Sequence, residues 1–423
     1  MKISRIKKCR FCKSKELEKV INLGPQFLQG YFQNNKIKKT NQIFQKKFLT
    51  ELVRCNPEKD KNACGLLQMS TSVPTKILYE KYFYRSGINS TMVNHLNQIA
   101  NDINKIYKKT NKIKILDIGC NDGTLLKFFS NKFDKYGIDP SDSFPKLGIK
   151  NINYIKDFFP SSKLKKVTKN KKFDIITSIA MFYDLENPAS FVENIYENLD
   201  KDGIFIFEVS YMPEMLKLNS FDTICHEHLE YYSLSVIQKI FSYNDMKIAK
   251  VEFNKSNGGS IRCFAVKKEN NKFGTKKDLN LIKKMLKKES SQGLKTKRPY
   301  LNFKKKILVL KNKLKKIILK LKKEGKTIHI YGASTKGNTI LQYCKINNKL
   351  IKYAADRNPE KFGLKTLGSN ITIISEEDSR RIKPDYYLAL PWHFQKEFIK
   401  RERLFLKNGG KFIFPLPQVR IIK

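Results

Sequence analysis

The chain is predicted to be an α/β protein with two Rossmann-like units behind a small cysteine-bearing block. Three observations predict it. Short apolar runs alternate with helically spaced segments from Ile113 to about Val266. The alternation resumes from Thr327 to Phe414, and four cysteines, Cys9, Cys12, Cys55 and Cys64, fall near the N-terminus. Strand–helix alternation argues a parallel sheet covered by helices. A length of 423 residues suits two or three domains. The expected blocks are residues 1–75, 76–270 and 280–423.

In the first block, Cys9-x2-Cys12 is the tight half of a tetrahedral metal site, and Cys55 and Cys64 would complete it with Zn2+. Four thiolates leave no open coordination position, so a structural zinc-binding domain is expected rather than a catalytic metal. The eight residues between Cys55 and Cys64 exceed the usual two to four. Two unrelated buried thiols beside a chance Cys-x2-Cys are the plainer alternative. No apolar core follows the charged start, and no run approaches the length of a membrane span. A cytoplasmic protein with reduced cysteines is the expectation.

The second block opens with helical spacing over Ile77–Ile106, led by Tyr79, Tyr82, Phe83 and Tyr84. Ile113–Ile118, Lys135–Ile138, Phe173–Ser178 and Ile204–Val209 read as strands, and Met246–Phe253 with Ser260–Val266 as an antiparallel pair. Asp117 ends the first strand, where open α/β sheets bind ligands. Gly119 and Gly123 let the turn approach a ligand closely before a helix beginning near Thr124. The run Gly119-Cys120-Asn121-Asp122-Gly123 lacks the G-x-G-x-x-G spacing of dinucleotide loops. It suits the amino and carboxypropyl groups of S-adenosylmethionine, with Asn121 inside the turn. Asp139 ends the next strand about twenty residues on, placed to accept a ribose diol. Asp157-Phe158-Phe159 follows a third candidate strand and could bracket adenine, although a helix cap explains Asp157 as well. The expectation is an S-adenosylmethionine-dependent methyltransferase.

Two of only five histidines sit in Cys225-His226-Glu227-His228, followed by Leu229-Glu230-Tyr231-Tyr232-Ser233. Histidine is the natural general base near neutral pH. A carboxylate can orient it, and tyrosine hydroxyls can donate to a developing oxyanion. A metal site of Cys225, His226 and His228, or a purely structural cluster, remains open on the residues alone.

Lys267–Arg298 is polar, a linker or exposed helix. Phe303–Lys323 carries Ile307, Leu310, Leu314, Ile317 and Leu321 at helical spacing. Thr327–Tyr331 then opens the third block. Gly332 and Gly337 follow this strand and precede a helix, a turn that could bind an anion with help from Lys336. Asp356 ends the strand Ile351–Ala355, where a ribose-binding acid would stand. A packing domain that keeps only the turn geometry is the alternative.

The formal charge of +45 suggests a nucleic-acid partner. Lysines are spread along the whole chain, however, and arginine is scarce. No aromatic-basic stripe of the kind single strands need is visible. No nucleic-acid partner is therefore expected, and an RNA methyltransferase is the rival reading. A methyltransferase for another small-molecule carbon or oxygen acceptor, or a non-catalytic binding protein, also stays open.

Together these residues resemble the three-domain sugar C-methyltransferases that act on nucleotide-linked keto-deoxysugars. The likeness runs nearly the full length. It includes Cys64-Gly65-Leu66-Leu67-Gln68, Tyr82-Phe83-Tyr84-Arg85-Ser86-Gly87, Phe221–Ser233, Tyr331-Gly332-Ala333-Ser334-Thr335-Lys336-Gly337-Asn338-Thr339 and Leu390-Pro391-Trp392-His393-Phe394. The resemblance implies methyl transfer to a ring carbon, C3, beside a 4-keto group. His228 would be the base and Glu227 would position it or the sugar. Tyr82 and Tyr84 would lie at the catalytic site. Tyr231, Tyr232, Lys336, Asn338 and Trp392 would contact substrate. Cys225 stands where the family often has a tyrosine taken to steady the enolate, and a thiol is a poor donor.

Overall fold

The computed structural model describes residues 3–33, 42–79, 83–106, 112–145 and 148–423. Its largest features are two helix-covered sheets. The first has seven strands in the order Met246–Asn254, Ser260–Lys267, Leu199–Ser210, Phe173–Ile179, Ile113–Ile118, Phe133–Asp139 and Ile152–Lys156. All neighbours are parallel except those of Ser260–Lys267, which runs antiparallel to both. The inner strands are apolar on both faces, as a doubly covered sheet requires. Chain order reverses between Ile113–Ile118 and Phe173–Ile179, so a crevice opens at their C-terminal ends.

The second sheet runs Arg420–Ile422, Lys411–Phe414, Tyr386–Ala389, Ile328–Tyr331, Tyr353–Asp356, Thr372–Ser375, Lys365–Thr366 and Phe32–Gln33. Its switch point lies between Ile328–Tyr331 and Tyr386–Ala389. The loops Gly332–Lys336 and Leu390–Phe394 leave the sheet there. The edge pair Phe32–Gln33 comes from the N-terminal block. A smaller four-stranded sheet is also mixed in origin, pairing Leu17–Gln26, Phe48–Cys55 and Leu67–Met69 with Glu230–Tyr231. Strand exchange at these two edges interlocks the blocks, which local periodicity does not reveal.

Helix Arg298–Lys323 buries Tyr300, Phe303, Ile307, Leu310, Leu314, Ile318 and Leu321, a three-to-four stripe started by Pro299 in its first turn. Ile318 takes the buried place expected of Ile317, which is only partly covered. The polar stretch before it folds as helix Lys276–Ser291, opened by a capping box between Thr275 and Asp278. The helical region expected over Ile77–Ile106 is broken. Helix Thr75–Tyr79 and helix Ser90–Ile106 flank a short 3-10 turn at Ser86–Ile88. Among the described residues no helix is long and apolar enough to cross a membrane.

Candidate active site

Backbone geometry builds the cofactor turn. Gly119, Asn121 and Gly123 all take positive φ, at 74°, 52° and 74°. Glycine accepts that region without strain, and asparagine is the side chain that best tolerates it. A Cβ at Gly123 would also strike Phe144 and Ile149. The carboxylate of Asp139 braces the turn, with Oδ2 accepting from Asn121 N–H at 2.9 Å and Oδ1 from Ser141 N–H at 2.9 Å. Segment Tyr84–Gly87 straps across it. Asn121 Oδ1 accepts from Ser86 N–H at 3.0 Å, and Asp122 Oδ2 from Gly87 N–H at 2.8 Å. Asp157 supports Ser161, the cap of helix Ser162–Thr168, while Phe158 and Phe159 stay on the cavity wall. The helix cap is thus Ser161, with Asp157 bonded behind it.

Segment 221–233 is held from three sides. From the N-terminal block, Gly30 N–H donates to Glu227 Oε1 at 2.7 Å, and Gln29 Oε1 faces His226 Nδ1 at 2.6 Å. Tyr79 hydroxyl donates to the Glu227 carbonyl at 3.1 Å, and Met69 N–H to the Leu229 carbonyl at 2.8 Å. From the C-terminal block, Trp392 Nε1–H donates to Asp222 Oδ2 at 2.9 Å, and Thr339 hydroxyl to the Ile224 carbonyl at 3.3 Å. From the central block, Leu229 N–H and Glu230 N–H both donate to the Tyr183 carbonyl.

These elements enclose a cavity of about 630 Å³ between the two switch points. Asp117, Gly119, Asn121, Asp139, Asp157 and Phe158 line it from the central sheet, with Tyr84, Glu227 and His228. Lys336 lines it from the opposite side. Tyr82 lies outside the described residues. Five other expected residues stand behind the wall. Cys225 is buried with its thiol towards the Thr223 carbonyl, and Tyr231 hydroxyl donates to that same carbonyl at 3.1 Å. Tyr232 stacks on Phe182 and donates to its carbonyl. Asn338 donates to the Gln29 carbonyl at 2.7 Å, and Trp392 is committed to Asp222. Each thus supports the wall instead of facing the space. Asp356 lines the cavity, but its Oδ2 accepts from Ala333 N–H at 2.9 Å and its Oδ1 from Asn358 N–H. The turn between Gly332 and Gly337 is therefore closed partly on itself.

The electrostatics differ between the two sides. From residues 117–228 the cavity receives Asp117, Asp139, Asp157, Asp184, Glu186 and Glu227 and no lysine or arginine. Arg85, on the strap Tyr84–Gly87, is the one basic residue this unit adds, so carboxyl groups outnumber it six to one. Burial, then the neighbouring Asp139 charge, raises Asp117 to about 7 despite a hydrogen bond from Thr177 at 2.7 Å. A cationic ligand would restore its ionised form. From residues 331–401 come Lys336, Arg357, Lys361 and Arg401, against Asp356 and Glu376.

His228 has the geometry of a neutral base. Its Nδ1 lies 2.8 Å from the Thr223 carbonyl, which can only accept, so Nδ1 carries the proton. That leaves Nε2 with a lone pair. Tyr183 packs edge-on at 4.5 Å and fixes the ring. Burial, with the Lys336 charge, lowers His228 to about 3. His226 is turned away to Gln29, and among the described residues only the four N-terminal cysteines group as metal ligands. The metal reading of segment 225–228 therefore has no support. Sequence reasoning missed Asp184 and His393, which line the cavity with a buried, unpartnered Oδ1 and Nδ1. His393 lay inside a quoted motif, but its orientation is set by the Pro391–Phe394 turn, which the sequence does not display.

The cysteine quartet forms at the end of strand Phe48–Cys55. Cys9 and Cys64 sulfurs are 3.6 Å apart, and Cys12 and Cys55 sulfurs 3.4 Å. All four lie within 4.8 Å. Tetrahedral thiolates at about 2.3 Å from zinc would stand roughly 3.8 Å apart, so the set fits that ion. Arg10, between two of these cysteines, reaches the Met69 carbonyl at 2.6 Å and Glu230 at 3.8 Å, two residues past His228.

Comparison with known proteins agrees with this architecture. The family described as a methyltransferase domain matches residues 92–251, and that described as a C-methyltransferase C-terminal domain matches residues 255–417. The C-methyltransferase NovU of Streptomyces niveus is 26% identical over 422 residues, covering 99% of this chain and 97% of its own. A malonyl-[acyl-carrier protein] O-methyltransferase of Bacillus anthracis is 24% identical over 192 residues, 44% of this chain and 69% of its own. Among solved structures, magnesium protoporphyrin IX methyltransferase from Synechocystis PCC 6803 with bound SAH is 15% identical. It covers 42% of this chain and 87% of its own, with a TM-score of 0.34.

Proposed function

We propose that the chain is a three-domain S-adenosylmethionine-dependent C-methyltransferase that methylates a ring carbon beside the ketone of a nucleotide-linked 4-keto-deoxysugar, with C3 the carbon expected. The observation that carries this reading is the shared cavity. It sets an acidic cofactor wall, a neutral histidine base and a basic wall around one space.

S-adenosylmethionine, when bound, supplies an electrophilic methyl on a positively charged sulfur. Asp117 and Asp139 would attract its charged end and ribose, and Phe158 would cover adenine. His228 Nε2 would take the proton from the carbon next to the ketone. The C–H electron pair becomes a C=C bond, and the C=O π pair moves onto oxygen. The enolate carbon then takes the methyl group, the S–CH3 pair stays on sulfur, and the C=O bond re-forms. His228 finally releases its proton to solvent. Glu227, fixed by Gly30, would orient the sugar beside the base. Arg357 on the basic wall favours the diphosphate-linked carrier. Zinc held by Cys9, Cys12, Cys55 and Cys64 would stiffen the block that clamps segment 221–233. Chelation should therefore lower both activity and the unfolding midpoint, the latter by more than about 5 °C.

The direct experiment incubates the protein with labelled S-adenosylmethionine and a panel of nucleotide-linked 4-keto sugars, read by mass spectrometry. A 14 Da gain on a sugar carbon is expected (the mass of one methylene, about 14). Methylation of RNA, with salt-sensitive competition by RNA and no labelled sugar, would overturn the reading.

A further inference from the structure

The proposed reaction leaves a negative charge on the ketone oxygen at the moment His228 takes its proton. Against a largely apolar cavity lining that charge needs a positioned donor. The aromatic and thiol groups of the catalytic segment do not supply one. Cys225 lies off the cavity, and the hydroxyls of Tyr231 and Tyr232 are spent on backbone carbonyls. On the same side, burial raises the carboxyls of Asp184 and Glu227, and in their ionised form they would oppose an oxyanion.

The opposite wall does supply a donor. Lys336 lies in the first turn of helix Thr335–Tyr343, beyond the cap Ser334, and its side chain reaches the cavity. Its ammonium donates to the Asn257 carbonyl at 3.3 Å, one use of three N–H groups. Lys336 and His228 line the same cavity, and the charge of the first bears on the second. Asp222 lies within the same field, held by the Trp392 indole at 2.9 Å. Burial raises Asp222 and lowers Lys336, while each group's charge favours the ionised form of the other. His393, next in chain to Trp392, lines the same cavity with its Nδ1 buried and unpartnered. The Lys336 charge, after burial, keeps His393 from protonating, lowering it to about 3. Its neutral ring has one N–H to offer.

We infer that Lys336, seconded by His393, holds the enolate oxygen, so that the base comes from one sheet and the oxyanion site from the other. The inference rests on the proposed C-methylation. It makes the C-terminal unit part of the catalytic apparatus rather than only a carrier for the nucleotide. During the reaction the ammonium keeps its protons and gives hydrogen bonds to the oxygen as the C=O π pair moves onto it. When the carbon takes the methyl group, the pair returns and the hydrogen bonds relax to those of a ketone.

The test needs no methyl donor. Wild-type protein and a thymidine diphosphate-linked 4-keto-2,6-dideoxyhexose are incubated in deuterated water, and deuterium at the carbon beside the ketone is followed by NMR. Lys336→Met keeps the chain's length and removes the buried charge. The expected result is exchange at least about a hundredfold slower, the scale for one oxyanion donor. Affinity for S-adenosylhomocysteine by calorimetry should stay at the wild-type value, which reports a folded protein. His393→Gln should slow exchange less, and Lys336→Arg should restore part of it. A residue that only binds phosphate would raise KM and leave kcat, whereas this assignment lowers kcat. Wild-type exchange rates in both Lys336→Met and His393→Gln would overturn it. If Lys336→Met fails to fold, Lys336→Gln with the same two readouts decides the matter. Absence of exchange in wild-type protein would instead overturn the reading on which the inference rests, and the inference with it.

Discussion

The two Rossmann-like units share a plan and differ in charge. Each puts a glycine turn and a switch point at the C-terminal edge of its sheet, and the two edges face each other. The central unit presents six carboxyl residues and one arginine, Arg85. The C-terminal edge presents four basic residues and two acidic ones. One backbone geometry thus carries a mainly acidic lining on one side and a mainly basic lining on the other. Strand order decides where a site forms, and side-chain charge decides what it takes.

The largest effect that would break this comparison concerns the base between the walls. His228→Asn keeps the polarity of the ring position but has no imidazole lone pair. Proton exchange beside the ketone should fall by about 10²–10⁴-fold. Undiminished exchange would remove the acidic side's claim to the chemistry. A wild-type pH profile should show no loss of rate near 6.5, because His228 is already lowered to about 3.

A smaller effect tests the clamp from the N-terminal block. A Cβ at Gly30 would collide with the Glu227 carboxylate. Gly30→Ala should lower kcat by roughly tenfold to a hundredfold through misplaced geometry, with S-adenosylhomocysteine affinity unchanged. Equal kcat in the two proteins would show that Glu227 does not position anything.

The acidic wall makes a pH prediction. Asp117 is raised to about 7 in the free protein, and a cation binds its ionised form. Affinity for S-adenosylmethionine should therefore rise with pH through that value, being roughly tenfold weaker at pH 6 than at pH 8. Asp117→Asn should flatten the profile. A pH-independent affinity in wild type would separate Asp117 from the cofactor.

The smallest effect is structural. Trp392→Phe leaves the buried Asp222 carboxyl without its indole donor, at a cost of about 1–3 kcal/mol in denaturant unfolding. No change would mean that the two units are not joined through this pair.

Much of this organisation was legible in the sequence. Local signals carry strands such as Ile113–Ile118, the cysteine quartet and the order of elements, because periodicity and ligand spacing are written within short windows. The cofactor turn was legible for the same reason. What stayed hidden depends on contacts between distant segments. Nothing near Gln29 or Gly30 says that they grip residues 226 and 227. Nothing near Phe32 says that it edges the C-terminal sheet. Motif residues such as Trp392 and Asn338 read as substrate contacts because a motif carries residue identity without orientation. In the fold their side chains turn to Asp222 and Gln29.

The division of the cavity can be measured directly by titrating S-adenosylhomocysteine and thymidine diphosphate into wild type, Asp139→Asn and Arg357→Gln by calorimetry. The account predicts that Asp139→Asn weakens only the first ligand and Arg357→Gln only the second, each by roughly tenfold, near 1.4 kcal/mol. Loss of both ligands in a single variant, or of neither in both, would contradict a cavity with one wall for each charge.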